Sequence, residues 1–515
     1  MKRKLKVFSE LVIALFISPL LFAQTSTISE LESCIPCESL KDLIIPDVVV
    51  SEATRTEDPV PHCKVLGIIG TEIKFELSLP DLWNNRYVMG GNGGFAGTLG
   101  DFLGNRQQVS KGYAVGLTDT GHEGSIWKAD WALNNRERQV NFAHLAVHRV
   151  AVVSKEIIRQ YYGSAPMYSY FHGCSKGGAQ AMIEAQRYPY DFDGIVAGDP
   201  GISWPEFSAA WVYNGKTMYP DPDNLKKSLI SKTHLEILQN TILEQCDALD
   251  GVKDGILNDP TVCDFDFDRL PRCPENEISD SCFTTAQIEG IKKIYEGLNV
   301  ENEIIHPGYP YGCEDEGDWS FFIVDPDASA LDNLGYPTVL FAFAVDVFKY
   351  LIFQDPDWDY RSYDFSNLKK DTRYLSSYLD ATSTNYSALK DRGGKMILYH
   401  GWNDAAQSAY TTIEHYEAAR NIDPQLSDYI RLFLLPGVLH CGGGPGPDEL
   451  DWIELVRDWV EKGIPPERVV LTKSHEGKTT LTRPVFPYPF KAIYDEKGDP
   501  NKESSFIKST TTYER

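Results

Sequence analysis

Between residues 167–172, which read as a strand, and 177–188, which read as a helix, stands Gly173-Cys174-Ser175-Lys176-Gly177. No other stretch constrains the fold as much. A G-x-S-x-G segment joining strand to helix makes a turn so sharp that only glycine fits on either side of the serine, and it lifts the hydroxyl off the end of a sheet. The flanking pattern supplies that sheet. Residues 64–80 alternate as a hairpin split at Gly70-Thr71, 86–89 and 113–117 read as short strands, and 194–197 as another. Residues 140–162 read as a helix with an apolar stripe at Ala143, Val147, Val150, Ala151 and Ile158. Strand, helix, strand in that rhythm predicts an α/β fold with a parallel sheet. The rhythm stops near Trp204 and returns with a strand at 395–400, a helix at 405–420, a strand at 429–435 and a helix at 448–462. The α/β domain is therefore expected to be discontinuous, 24–203 and 385–515, with an inserted unit at 204–384.

A serine hydroxyl needs a base to take its proton and a carboxylate to orient that base. Asp404, just past the strand at 395–400, and His440, just past the strand at 429–435, follow in the order Ser, Asp, His that a nucleophile elbow predicts. Most of the other histidines read as surface or packing residues; His144 and His148 lack the acidic companion of a zinc site. Cys174 precedes the serine and Cys441 follows the histidine, so a Ser175–His440 contact brings the two cysteines within disulfide reach, roughly 4.4 to 6.8 Å between Cα atoms. Donors for an oxyanion are expected from the backbone of Lys176 and of Gly93, in the glycine-dense loop at 90–97. That loop lacks the spacing of a nucleotide-binding turn.

The chain has 515 residues and a net charge of −25, which disfavours nucleic acid and anionic membranes as partners. Lys2, Arg3, Lys4 and Lys6 precede an apolar run at 11–22 and then Ala23, the pattern of a signal peptide over residues 1–23. The run is well short of the roughly 20 residues a membrane span needs, and no other stretch reads as one. Export to a secreted or periplasmic location suits ten cysteines, an even number that reads as disulfides. Cys246 is expected to pair with Cys263, and Cys273 with Cys282. Between the first two, Asp247, Asp250 and Asp254, with the carbonyls of Val252 and Ile256, offer oxygens that suit Ca²⁺. On this segment alone an acidic Asp-Gly turn is the favoured reading, and the spacing is not that of an EF-hand.

Taken together, GCSKGG, YHGWND, LHCGGG and CDALDGVKDGI resemble the tannase and feruloyl esterase family, which includes the hydrolase of mono(2-hydroxyethyl) terephthalate. MGGNGGFAG, TDTGH and DPDWDYRS add to the likeness, which spans nearly the whole mature chain. The resemblance implies an α/β-hydrolase core with a lid inserted between nucleophile and acid. It implies Ser175 as nucleophile, His440 as base, Asp404 as its orienter, a Cys174–Cys441 bond and His400 near the substrate. It also implies a structural calcium ion in the lid, held by Asp247, Asp250, Val252, Asp254 and Ile256, and a Cys37–Cys63 bond, which leaves Cys34 and Cys313 over. The activity implied is hydrolysis, through an acyl-enzyme, of small aromatic esters, hydroxycinnamoyl (feruloyl) above all, free or carried on plant polysaccharide. Galloyl esters and terephthalate monoesters are the alternatives. A calcium-stabilised, non-catalytic binder of phenolic or plant-wall material is the alternative of another class. Phe341, Phe343, Phe348 and Phe353, with Trp319, Phe321 and Phe322, are candidates both for an aromatic wall and for core packing.

Overall fold

The computed structural model describes residues 30–101, 103–275, 277–312, 314–315 and 317–513. The expected leader at 1–23 and Cys313 lie outside the described residues. Strands β1 (Val48–Thr56), β2 (His62–Ile69), β3 (Ile73–Pro80), β4 (Arg86–Gly90), β5 (Ala114–Thr118), β6 (Tyr168–Cys174) and β7 (Gly194–Gly198) enter one sheet before the insertion. The insertion carries a small antiparallel pair, β8 (Leu298–Val300) and β9 (Glu303–His306). Strands β10 (Lys395–Gly401) and β11 (Ile430–Leu435) then complete a nine-stranded sheet in the order β1-β2-β3-β5-β4-β6-β7-β10-β11. From β1 to β5 neighbours in that order run antiparallel; from β5 to β11 they run parallel.

The parallel strands read as unbroken apolar runs because both faces are covered. Successive side chains point to opposite faces. Ile195 and Ala197 of β7, Met396 and Leu398 of β10, and Leu432 and Leu434 of β11 enter one core. Val196, Ile397, Tyr399, Phe433 and Leu435 enter the other. The first core is roofed by α2 (Ala146–Tyr162), α3 (Lys176–Arg187) and α11 (Ala409–Ile422), the second by α12 (Trp452–Lys462). The helix expected at 140–162 starts earlier, as α1 (Arg136–Val140), and runs into α2 through a π-turn at Asn141–Leu145. The last helix starts at Trp452 rather than 448, because Asp451 caps it by accepting from the Glu454 N–H and Glu449 bridges to Thr472.

Between β7 and β10 the chain is mostly helical: α4 (Trp204–Met218), α5 (Lys232–Cys246), α6 (Thr285–Glu296), α7 (Leu331–Leu334), α8 (Val339–Asp346), α9 (Leu368–Leu379) and α10 (Ser387–Asp391). Capping boxes at Ser231 and Thr284 fix the starts of α5 and α6. Two further apolar clusters lie here. One contains Trp204, Phe207, Trp211, Phe341, Phe343 and Phe348, the other Leu235, Ile242, Ile288 and Trp319. The expectation that no stretch after the leader could span a membrane is corrected on composition: Leu331–Ile352 is long and apolar enough. Within the fold, 67% of its window is buried against the rest of the chain, as a core helix would be.

After α12 come two antiparallel pairs, β12 (Val469–His475) with β13 (Lys478–Val485) and β14 (Phe490–Tyr494) with β15 (Phe506–Thr512). From β13, the fully buried Arg483 reaches the insertion, donating to Asn258 Oδ1 at 2.7 Å and Asp254 Oδ2 at 2.6 Å.

Candidate active site

Ser175 stands between β6 and α3 with φ 63° and ψ −119°, a conformation that a non-glycine residue adopts only when its surroundings impose it. The glycines around it are explained by space. A Cβ on Gly173 would lie 2.4 Å from the Gly177 carbonyl oxygen, and one on Gly91, in the facing loop, 2.7 Å from the Gly177 Cα. Helix α3 can therefore start directly beneath the loop that follows β4.

That loop is tied to α3 by a reciprocal amide pair. Asn92 N–H donates to Gln180 Oε1 at 2.9 Å, and Gln180 Nε2 donates to Asn92 Oδ1 at 3.1 Å. His122, stacked on Trp131 with ring centroids 3.7 Å apart, meets the Phe95 carbonyl through Nε2 at 2.9 Å. Among the described residues, neither the Gly93 nor the Lys176 backbone N–H has a hydrogen-bond partner. Both residues line a cavity of about 300 Å³ together with Ser175 and His440.

Asp404 follows β10 and is fully enclosed. Its Oδ1 accepts from the N–H groups of Ala406 (2.7 Å) and Gln407 (2.8 Å), while its Oδ2 meets His440 Nδ1 at 2.7 Å. Burial alone would raise the Asp404 pKa; the charges and hydrogen bonds of His440 and His400 overcome it and hold the carboxyl at about 2. Burial alone would lower His440; Asp404 first, then Asp199 and Asp318, raise it above the ordinary histidine value. Asp318, from the insertion, accepts the His440 backbone N–H through Oδ2 at 2.9 Å, and Phe322 packs edge-on against the imidazole. The Cys174–Cys441 disulfide joins the neighbours of Ser175 and His440 with Cα atoms 5.9 Å apart.

The structure places His400 elsewhere than the substrate contact expected of it. It is fully buried behind Asp404 and is not among the residues of the cavity wall, because both ring nitrogens point into protein, Nδ1 to Thr412 Oγ1 and Nε2 to the Gln407 carbonyl, each at 2.8 Å. The aromatic residues divide. Phe343 and Phe322 line the cavity with Trp127, Trp204, Phe207 and Trp211, whereas Phe341, Phe348 and Phe353 pack within the insertion. Trp204 and Trp127 carried no motif and were not singled out from the sequence. Lys176 lines the cavity too; its ammonium is buried over the Phe142 ring (4.2 Å) and the Trp204 ring (5.2 Å), with one long hydrogen bond, 3.5 Å, to the Ala143 carbonyl of the π-turn.

Among the described residues three further disulfides join Cys37 to Cys63, Cys246 to Cys263 and Cys273 to Cys282, and Cys34 is free of any disulfide, exposed, and donates to the Tyr162 carbonyl. Groups of side chains whose metal-binding atoms converge occur at Asp199, Asp404 and His440 and at Cys174, Asp199 and Cys441, both beside Ser175; the second contains the disulfide. In the loop expected to bind calcium, the three aspartates fold onto the loop's own amides. Asp247 accepts from Gly255, Asp250 from Val252 and Asn258, and Asp254 from Ile256. Burial, with the nearby charge of Asp254, raises Asp247 and lifts Asp250 to about 6. No described residue donates to the Val252 or Ile256 carbonyl. These carboxylates and unclaimed carbonyls are an oxygen-only donor set, the chemistry a hard divalent cation takes, although the three aspartates are not among the converging groups and Asp254 is paired with Arg483.

An elbow serine and a histidine bonded to a buried aspartate, at the C-terminal edge of a parallel sheet covered on both faces, define the class of the protein: an α/β-hydrolase. Comparison with known proteins narrows it. The family model for tannase and feruloyl esterase matches residues 58–509. A mono(2-hydroxyethyl) terephthalate hydrolase from Piscinibacter sakaiensis is 30% identical, with 91% of each chain covered, and feruloyl esterase B from Aspergillus niger is 29% identical, with 86% of each covered. The crystal structure of feruloyl esterase B from Aspergillus oryzae matches the fold with a TM-score of 0.81 at 24% identity, covering 92% of this chain and 99% of that one. The chain belongs to the tannase and feruloyl esterase family and is a carboxylic ester hydrolase.

Proposed function

We propose that the protein is an exported serine esterase that cleaves esters of aromatic acids, feruloyl-type esters foremost, with Ser175, His440 and Asp404 as its catalytic triad. One observation carries this reading: Ser175, His440, the free Gly93 and Lys176 amides and an aromatic wall all meet in a single cavity of about 300 Å³. Neutral His440 takes the Ser175 proton as Oγ attacks the ester carbonyl, and Asp404 holds the imidazolium through Nδ1. The two amides donate to the oxyanion. His440 then protonates the leaving alcohol, and the C–O bond of the ester breaks to leave an acyl-Ser175. Water, deprotonated by His440, attacks the acyl-enzyme and releases the acid. Trp204, Phe207 and Phe343 suit a flat acyl group. We read 204–384 as a lid over the core, because it supplies Phe322, Phe343 and Asp318 to the site.

Calcium would be held by Asp247, Asp250 and Asp254 with the Val252 and Ile256 carbonyls, and would screen the mutual repulsion of the carboxylates. Export is supported by the basic and apolar leader at 1–23 and by four disulfides.

The test is turnover of methyl ferulate, methyl gallate and mono(2-hydroxyethyl) terephthalate by the mature protein and by Ser175→Ala. We expect ferulate to be preferred and the variant to lose at least about 10³-fold in kcat with its fold intact. Preference for gallate or the terephthalate monoester would reassign the acyl group. Turnover retained by Ser175→Ala would overturn the mechanism.

A further inference from the structure

Behind Asp404 lie a second histidine and a second carboxylate that this mechanism leaves unused. His400, in β10, and Asp199, immediately after β7, are both fully enclosed. Nε2 of His400 faces the Gln407 carbonyl, which can only accept, so it carries a hydrogen; the same nitrogen lies 3.3 Å from Asp404 Oδ2 and 3.7 Å from Asp199 Oδ1. Asp404 Oδ2 is the very atom that meets His440 Nδ1. Asp199 uses both oxygens as acceptors, Oδ1 from the Gly401 N–H at 2.8 Å and Oδ2 from the Cys441 N–H at 3.0 Å, the pattern of an ionised carboxylate. It therefore binds the backbone on both sides of the site: the residue after His400 and the residue after His440.

We propose that Asp199 and His400 form a second buried acid–base pair that positions the His440–Asp404 pair, His400 as an imidazolium gripping Asp404 and Asp199 as a carboxylate holding the Gly401 and Cys441 backbones. This rests on the reading of Ser175, His440 and Asp404 as the triad. Both are positioning residues, since neither lines the cavity. One imidazolium between two enclosed carboxylates leaves one negative charge uncompensated, and the proton that His440 takes from Ser175 balances it.

The groups facing His440 are Asp404 from the turn after β10, Asp199 from the end of β7 and Asp318 from the insertion; His400 stands behind Asp404, with Tyr399 beside Asp199 and Tyr309 near Asp404. A negative neighbour raises the pKa of His440 and a positive one lowers it. The two members of the pair therefore act with opposite sign, which a packing role cannot mimic.

The test is the pH dependence of kcat/KM for wild type, Asp199→Asn and His400→Gln, with labelling of the serine by a fluorophosphonate probe. His440 must be neutral to act, so activity rises with pH through its pKa. We expect this acid limb to move down in Asp199→Asn and up in His400→Gln, each by about half a pH unit or more. In both variants kcat should fall by roughly tenfold with KM within about twofold. Thr412→Val, which removes only the hydroxyl that meets His400 Nδ1, should move the limb in the same direction as His400→Gln and decides the question if the other variants do not fold. Limbs that stay in place, or that move with one sign, overturn the pair. If the wild-type serine is labelled and Ser175→Ala is inactive while the limbs do not move, this inference fails and the triad reading stands. If the serine is not labelled and Ser175→Ala still turns over, the triad reading itself has failed.

Discussion

The residue after the nucleophile carries two duties that pull against each other. Its backbone N–H has no partner among the described residues, while its ammonium is buried between Phe142 and Trp204 with one long hydrogen bond. Burial outweighs the attraction of Asp380 and lowers the Lys176 pKa to about 7. The unfolded chain binds the proton more tightly over the interval from about 7 to the ordinary lysine value, so the folded state gains stability as pH rises across it. Lys176→Met should therefore melt about 2 °C or more above wild type at pH 6, and the difference should close toward pH 9. A variant less stable than wild type at pH 6 would show instead that the aromatic rings compensate the charge fully. The elbow glycines and the order Ser175, Asp404, His440 were legible in the sequence because each obeys a local steric rule or a chain-order rule. Gln180 and Asp199 were not, since a buried amide and an aspartate in an Asp-Pro turn carry no local signature; their roles exist only once β4, β7, β10 and α3 are packed together.

At the scale of elements, Cys174–Cys441 spans the sheet. It joins the end of β6 to the loop after β11, with β7 and β10 between them in the strand order, and its cysteines are 267 residues apart in sequence. Asp199 accepts the Cys441 N–H. Replacing both cysteines by serine should lower kcat by about tenfold at a temperature where the variant is folded, and should lower Tm by several degrees, because so long a loop is freed in the unfolded state. A loss of Tm with kcat unchanged would make the bond a staple only. The adjacent cysteines made this bond readable from sequence. The parallel strands were equally readable, being buried on both faces and uniformly apolar. The insertion was not: its helices pack in two clusters, one of them shared with Phe95, Trp131 and Phe142 from before the insertion, and aromatic residues such as Phe341 and Phe343, two apart in one helix, go to packing and cavity respectively. Strand β1 and the pairs after α12 were missed because exposed residues interrupt their alternation.

For the molecule as a whole, buried carboxyls and buried imidazoles set opposing slopes on stability. Burial lifts Asp119 and Asp380 to about 7 and Asp318 and Asp346 to about 6, so these groups lose stability for the fold as pH rises from near 4. The same burial drops His122, His144, His172, His306 and His415 to about 4, and these gain stability for it as pH rises from 4 to the ordinary histidine value. The two families oppose each other over that interval. In the proposed calcium loop Asp250 is lifted to about 6 and Asp247 is raised with it. Calcium must displace protons from these carboxyls, so its stabilising effect should be small at pH 5 and full at pH 7.5. For protein freed of divalent ions by chelation, added calcium at about 100 times its Kd should contribute roughly 2.7 kcal/mol at pH 7.5. Asp250→Asn should remove most of that gain without touching Ser175, since the loop is anchored to β13 through Arg483 and Asp254 rather than to the cavity. Melting curves with and without calcium at the two pH values decide it. An unchanged Tm at pH 7.5 would leave Arg483 as the counter-charge of this loop and return Asp247, Asp250 and Asp254 to an ordinary acidic turn.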